Sequence, residues 1–181
     1  MARIPQFDRY QSSIKQVKQR DAILGCIPTN IAAFVQSCGI SIGERDVADA
    51  YLSTICFQYV RDLGVLSKMQ FRNRDLSEIF KLHVSCHATF QEWWKQVTTW
   101  IDPPNGWPVL FSFGPEGNKH IRTAIGVNGD VLETYDPSPC EPRKLIRMPK
   151  VELQQKWLTK ELSGDIMAIE SDNKVLHATQ G

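Results

Sequence analysis

Cys26, His120 and Asp136 are the residues whose types and placement could together perform acyl chemistry in this chain. Cys26 stands in Gly25-Cys26-Ile27-Pro28-Thr29-Asn30, and Ile27, Ile31, Phe34, Val35 and Cys38 recur at a spacing that predicts a buried helix over about residues 28–36. A proline in the first turn needs no backbone donor, and Gly39 supplies a stop, so both ends are marked. A thiol at a helix start meets unpaired N–H groups and the positive end of the dipole, which favour a thiolate. His120 opens a predicted strand over residues 121–127, and Asp136 follows the next, over residues 131–135. Asn128-Gly129 between them signals a tight hairpin, whose antiparallel return brings His120 and Asp136 to the same open end.

An imidazole beside a thiol can withdraw its proton, and a carboxylate on the far ring nitrogen fixes the tautomer and orientation. The thiolate can then attack a carbonyl carbon while the imidazolium protonates the leaving amine. The developing oxyanion needs donors. Gln19 lies close enough upstream for its side-chain amide to join the Cys26 N–H there, with Gln16 as the competing candidate. Each residue also has an ordinary reading in isolation: a buried small hydrophobe for Cys26, a strand-end histidine, a turn aspartate before Pro137, a solvated glutamine. Their joint placement is what points to chemistry.

The elements that must position these groups read as an α+β arrangement, a helical N-terminal part packed on a C-terminal antiparallel sheet. Further helices are expected over residues 44–63, 73–82 (capped by Asn73) and 89–100, the last opened by a Thr89/Glu92 capping box. Pro103-Pro104-Asn105-Gly106 ends the helical part. Strands follow over residues 107–113, 121–127 and 131–135, then a short strand over 145–148, a helix over 151–162 and a strand over 166–169. The length of 181 residues suits one domain, residues 1–181.

Hydrophobic residues make up 42% and charged residues 23%, the composition of an ordinary soluble globular protein. With 21 Lys and Arg against 20 Asp and Glu, the formal charge of +1 gives no global case for nucleic acid or a membrane surface. Arg143, Lys144 and Arg147 read as a solvated face. No apolar run is long enough for a membrane span and no signal-peptide segment opens the chain, so the expected location is cytoplasmic, or outside by a route without a classical signal peptide. Five cysteines, Cys26, Cys38, Cys56, Cys86 and Cys140, are an odd set without a C-x-x-C pair, which argues against a disulfide framework. His83, Cys86 and His87 lack a fourth ligand for zinc. The glycine-rich loop at residues 114–119 lacks the phosphate-loop pattern and reads as a substrate-facing loop ahead of His120. Trp93, Trp94, Trp100 and Trp107 read as core or seam fillers. No cofactor or metal is expected.

Gly25-Cys26-Ile27-Pro28-Thr29-Asn30, the stretch His120-Ile121-Arg122-Thr123-Ala124-Ile125-Gly126-Val127, and Tyr135-Asp136-Pro137 together resemble the papain-like cysteine peptidase superfamily, and most closely its C39-type branch, which includes double-glycine leader peptidases. The resemblance implies a papain-like fold with its site in the cleft between helices and sheet. It makes Cys26 the nucleophile, His120 the base and then the acid, Asp136 the orienting carboxylate and Gln19 the oxyanion donor, acting on a protein or peptide substrate. Ile27 stands where the family usually has glycine. The same residues could serve peptide or isopeptide hydrolysis, deamidation of glutamine or asparagine, or acyl transfer by an effector or toxin, all through a thioester. A catalytically inactive papain-like domain used for protein binding is the alternative of another class.

Overall fold

The structure, a computed structural model, describes residues 1–16, 26–43, 46–47, 69–71, 73–115, 120–137 and 145–171. In chain order its elements are strand β1 (Ala2–Arg3), helices α1 (Phe7–Gln16) and α2 (Cys26–Ser37), and short strands β2 (Gln70–Phe71) and β3 (Arg74–Asp75). A 3-10 turn at Leu76–Glu78 leads to β4 (Phe80–Cys86), α3 (Phe90–Ile101), β5 (Val109–Phe113), β6 (His120–Asn128), β7 (Val131–Tyr135), β8 (Leu145–Pro149), α4 (Lys150–Leu158) and β9 (Leu162–Ser171). One antiparallel sheet runs β4-β9-β5-β6-β7-β8, with β1 also pairing β6; β2 and β3 form a separate two-stranded ribbon. The result is an α+β arrangement in which the N-terminal helices pack against the antiparallel sheet.

The sheet is buried on both faces, because alternate residues of a strand point to opposite sides. Leu110, Ile121 and Ile125 join Tyr10, Ile31 and Phe34 of α1 and α2. Val109, Phe111 and Ala124 join Trp93, Val97 and Ile101 of α3 and Leu153 of α4. Trp93, Trp94 and Trp100 are therefore core residues, while Trp107 is half-buried and stacks on His83 with ring centroids 4.8 Å apart. Thr89 caps α3 as expected, its hydroxyl accepting from the Glu92 N–H. Between β6 and β7, Asn128 pairs with Val131, so Gly129 and Asp130 make the turn. Gly129 takes a φ of 58°, a left-handed value that glycine adopts without steric cost.

Two expectations change. Residues 73–82 are not a helix: Asn73, at φ 61°, turns β2 into β3, and Phe80 onward is a strand that pairs β9 from Phe80↔Ser171 to Cys86↔Asp165. Seven ladder pairs to a distant strand outweigh a local helical pattern, so the part of the chain before the sheet's centre is not uniformly helical. The helix expected over 151–162 ends at Leu158, and Leu162 already begins β9, where it pairs with Phe113. The helix expected over 44–63 lies almost wholly outside the described residues.

The far end of β6 is pinned by the N-terminal strand. Arg3 donates from Nε to Glu133 Oε2 at 2.7 Å and from Nη2 to Oε1 at 2.9 Å, and Glu133 is buried in the sheet. Gly126 lies beneath this pair; a Cβ there would sit 2.8 Å from Glu133 Oε2 and 3.0 Å from Arg3 Cγ. Gly126→Ala is expected to push the pair apart and cost about 1–3 kcal/mol. Arg3→Ala, which leaves the buried carboxylate only the longer, exposed pair with Arg147 at 3.7 Å, should cost about 1–3 kcal/mol. Urea unfolding measures both, and a native midpoint for Arg3→Ala would show that Glu133 does not depend on this partner.

Candidate active site

Cys26 is the first residue of α2, so the helix begins two residues earlier than the apolar spacing suggested and carries the thiol within its first turn. Its residue is 9% exposed. Ile27 is helical and buried in the core beside it, so the side chain that stands in place of a glycine is absorbed by packing. His120 begins β6, paired there with Phe113 of β5, and Asp136 directly follows β7. The hairpin register therefore delivers the two to one end of the sheet, and His120 Nε2 lies 2.5 Å from Asp136 Oδ1. With Nε2 engaged by the carboxylate, Nδ1 is the ring nitrogen left for the thiol side.

His120 is 27% exposed on its side chain and Asp136 6%. Burial disfavours the imidazolium, but it is overridden by the hydrogen bonds the ring donates to Asp136 and to Cys26 and by the charges of both groups. Together they raise the imidazole from its ordinary value to about 9. The ring is thus held by Asp136 at the end of β7, while Cys26, at the start of α2, adds to the rise.

Two residues that sequence reasoning gave no role complete this arrangement. Arg122, two positions along β6 from His120, donates from Nε to the other carboxylate oxygen of Asp136, Oδ2, at 2.9 Å. Its guanidinium lies over the Phe113 ring, 4.4 Å from the centroid, and Nη1 reaches Met148 Sδ at 3.6 Å. Asn30, one turn beyond Cys26 and 0% exposed, donates from Nδ2 to the Cys26 carbonyl at 2.8 Å and to the Ile121 carbonyl at 3.3 Å. Its Oδ1 accepts from Thr123 Oγ1 at 2.6 Å and Tyr10 Oη at 3.2 Å. The signals were present: a polar residue inside an apolar helical run, and a basic residue at strand spacing from the histidine.

Gln19 lies outside the described residues, and Gln16 is the last residue of α1, with its side chain also outside them. Of the loop ahead of His120, Gly114 and Pro115 are described and residues 116–119 are not. Cys38 is buried on α2, where desolvation pushes its thiol up to about 12. His83 pairs with Glu170, His87 with Ser85, and Cys86 with Asp165, so the three candidate ligands face different partners. Among the described residues no group of three or more His, Cys, Asp or Glu could hold a metal ion. No helix among them is long and apolar enough to cross a membrane. Cys56 and Cys140 lie outside the described residues.

No family model matches the chain, and no curated protein does. Solved structures do match. A protein assigned as a C39-like peptidase from Bacillus anthracis aligns at a TM-score of 0.57 and 12% identity, over 95% of this chain and 98% of that one. The peptidase domain of Streptococcus ComA, a bifunctional ABC transporter of a quorum sensing pathway, aligns at 0.54 and 17% identity, over 86% and 97%. A double glycine motif protease from an AMS/PCAT transporter, in complex with the leader peptide, aligns at 0.52 and 11%, over 86% and 90%. At these identities the likeness is one of fold, and it agrees with the resemblance read from Cys26, His120 and Asp136: the chain has the papain-like α+β fold of the C39-type peptidases.

Proposed function

We propose that this chain is a cysteine-dependent hydrolase of peptide or isopeptide bonds, with Cys26 as nucleophile, His120 as proton carrier and Asp136 as the carboxylate that orients it. The observation that carries the reading is the His120 ring, bonded to Asp136 and raised in pKa by Asp136 and Cys26 together. Fold likeness to peptidases, one of them bound to a leader peptide, supports an extended polypeptide as substrate.

In this mechanism the Cys26 thiolate bonds to the substrate carbonyl carbon, and N–H groups of the first turn of α2 face the oxyanion, with Gln19 as the proposed side-chain donor. As the tetrahedral centre collapses, the C–N bond breaks and His120 gives its proton to the departing amine. Water then attacks the thioester and passes a proton to His120, and the C–S bond breaks to return the thiolate. Asp136 holds the ring throughout in the tautomer that presents Nδ1 to the thiol. Arg122 holds Asp136.

Cys26 alkylation at neutral pH, resolved by mass spectrometry, tests the thiol–imidazole relation directly. His120→Ala is expected to slow it by about tenfold or more. Arg122→Gln, which removes one support of Asp136, should fall between that variant and the native protein. Equal rates in native and folded His120→Ala protein would leave a papain-like binding domain as the better description.

The raised imidazole also makes stability depend on pH. His120 binds its proton more tightly folded than unfolded, so its contribution is complete below about 6.5, the unfolded value. It is lost as pH rises through about 9, the folded value. Stability should fall across that window by at most about 1.4 kcal/mol per pH unit, the slope of one proton. Urea titrations of native and His120→Ala protein should show a steeper loss in the native form; parallel profiles would contradict the raised pKa.

A further inference from the structure

Asn30 has an amide with all four hydrogen-bonding positions occupied: two N–H donors on backbone carbonyls and two acceptor sites on hydroxyls. The carbonyls of Cys26 and Ile121 cannot donate, so the side of the amide facing them must be the NH2 group. The hydroxyls of Thr123 and Tyr10 then hold the oxygen on the opposite side. Burial pushes the Tyr10 phenol well above its ordinary pKa, which keeps that hydroxyl a donor. No other natural side chain of this size offers two donors and two acceptors in one plane. Aspartate would set a carboxylate against two carbonyls, and leucine would remove all four bonds.

The two carbonyls are not arbitrary ones. One belongs to Cys26 itself, and the other to the residue that follows His120 in β6. That stretch of β6 has β5 on one side through Phe113↔His120 and Ser112↔Ile121, whereas its register with β7 stops at Thr123↔Tyr135. Among the described residues the start of β6 is therefore paired on one side only. The bonds of Asn30 reach from the helix of the thiol to the strand of the imidazole.

We infer that Asn30 is the positioning residue that fixes the approach of His120 to Cys26, one amide joining the backbone of the nucleophile to the backbone beside the proton carrier. The inference rests on the proposed thiol–imidazole pair but makes a separate statement about it. The coupling between the two groups depends on Asn30 and on the hydroxyls that orient it. An anchor of general stability would not have this property, since it would weaken the fold without changing how one site residue feels the other.

The experiment is an NMR titration of the His120 ring in full-length protein, with and without Cys26→Ala, repeated in Asn30→Ala and Thr123→Val backgrounds. Gly126→Ala, at the far end of β6, serves as a destabilised control. In the native background Cys26→Ala is expected to lower the His120 titration point, and in Asn30→Ala that shift should shrink to about a third or less. Thr123→Val keeps the shape of its side chain and removes one oxygen-side bond, so an intermediate shift is expected there, and Gly126→Ala should keep the native shift. If Asn30→Ala does not fold, Thr123→Val decides. A native-sized shift in folded Asn30→Ala, or in Thr123→Val when it must decide, overturns the positioning role while leaving the proposed pair intact. No shift in the native protein sinks the pair itself, and the inference with it.

Discussion

The junction between the first turn of α2 and the start of β6 is the constraint on which the rest of the structure depends. Asn30 sits inside an apolar cluster with Ile31, Phe34 and Ile121, where an unpaired amide would be strongly unfavourable. Apolar contacts tolerate a helix sliding over a sheet by a fraction of an ångström, because dispersion and burial change little over that distance. Four hydrogen bonds to one planar group do not. The polar contact therefore converts a hydrophobic stack into a fixed register, and the residue one turn earlier, Cys26, inherits that register. The opposite end of β6 is fixed by different chemistry, the Arg3–Glu133 pair over Gly126. The central strand is held at both ends by buried polar groups and along its length by β5 and β7.

Much of this was legible in the sequence where the deciding residues are neighbours. The hairpin expected at Asn128-Gly129 forms, one residue along at Gly129-Asp130, because the turn is set by the conformational freedom of Gly129. Thr89 and Glu92 cap α3 because three positions along a helix start place a hydroxyl beside a free N–H. The C-terminal end of α2 follows from Gly39, while its start lies two residues before Pro28, at Cys26. Since hairpin register is local, the meeting of His120 and Asp136 was legible too. The α+β arrangement followed from the order of these pieces, and the papain-like class from the family resemblance they carry.

What failed is equally physical. Residues 73–82 read as helix because Asn73 looks like a cap and the apolar residues can be fitted to a helical period, although β4 begins at Phe80. The decision belongs to β9, whose Ile166 to Ser171 lie on the far side of α3 in the chain. A strand on the edge of a sheet carries too few buried positions to announce itself; within β4 only Phe80 is fully buried. Arg122 and Asn30 escaped for a related reason. Each was visible as a residue within a quoted stretch, but the partners that give it a role, Asp136 for one and Ile121 and Thr123 for the other, come from other elements.

Arg122 also bears on how one histidine can act as both base and acid in the proposed reaction. Asp136 is 5% exposed, and a carboxylate so buried needs a compensating charge. If His120 alone supplied it, deprotonating the ring would strand the carboxylate, and the imidazole would hold its proton too firmly to release it to a leaving amine. The Arg122 guanidinium supplies a second positive partner: its Nε bonds to Oδ2 while the ring takes Oδ1. Phe113 beneath the guanidinium and Met148 at its edge keep it from swinging to solvent. The carboxylate is then tolerated whether or not the imidazole is charged, and the proton on His120 is free to follow the chemistry at Cys26.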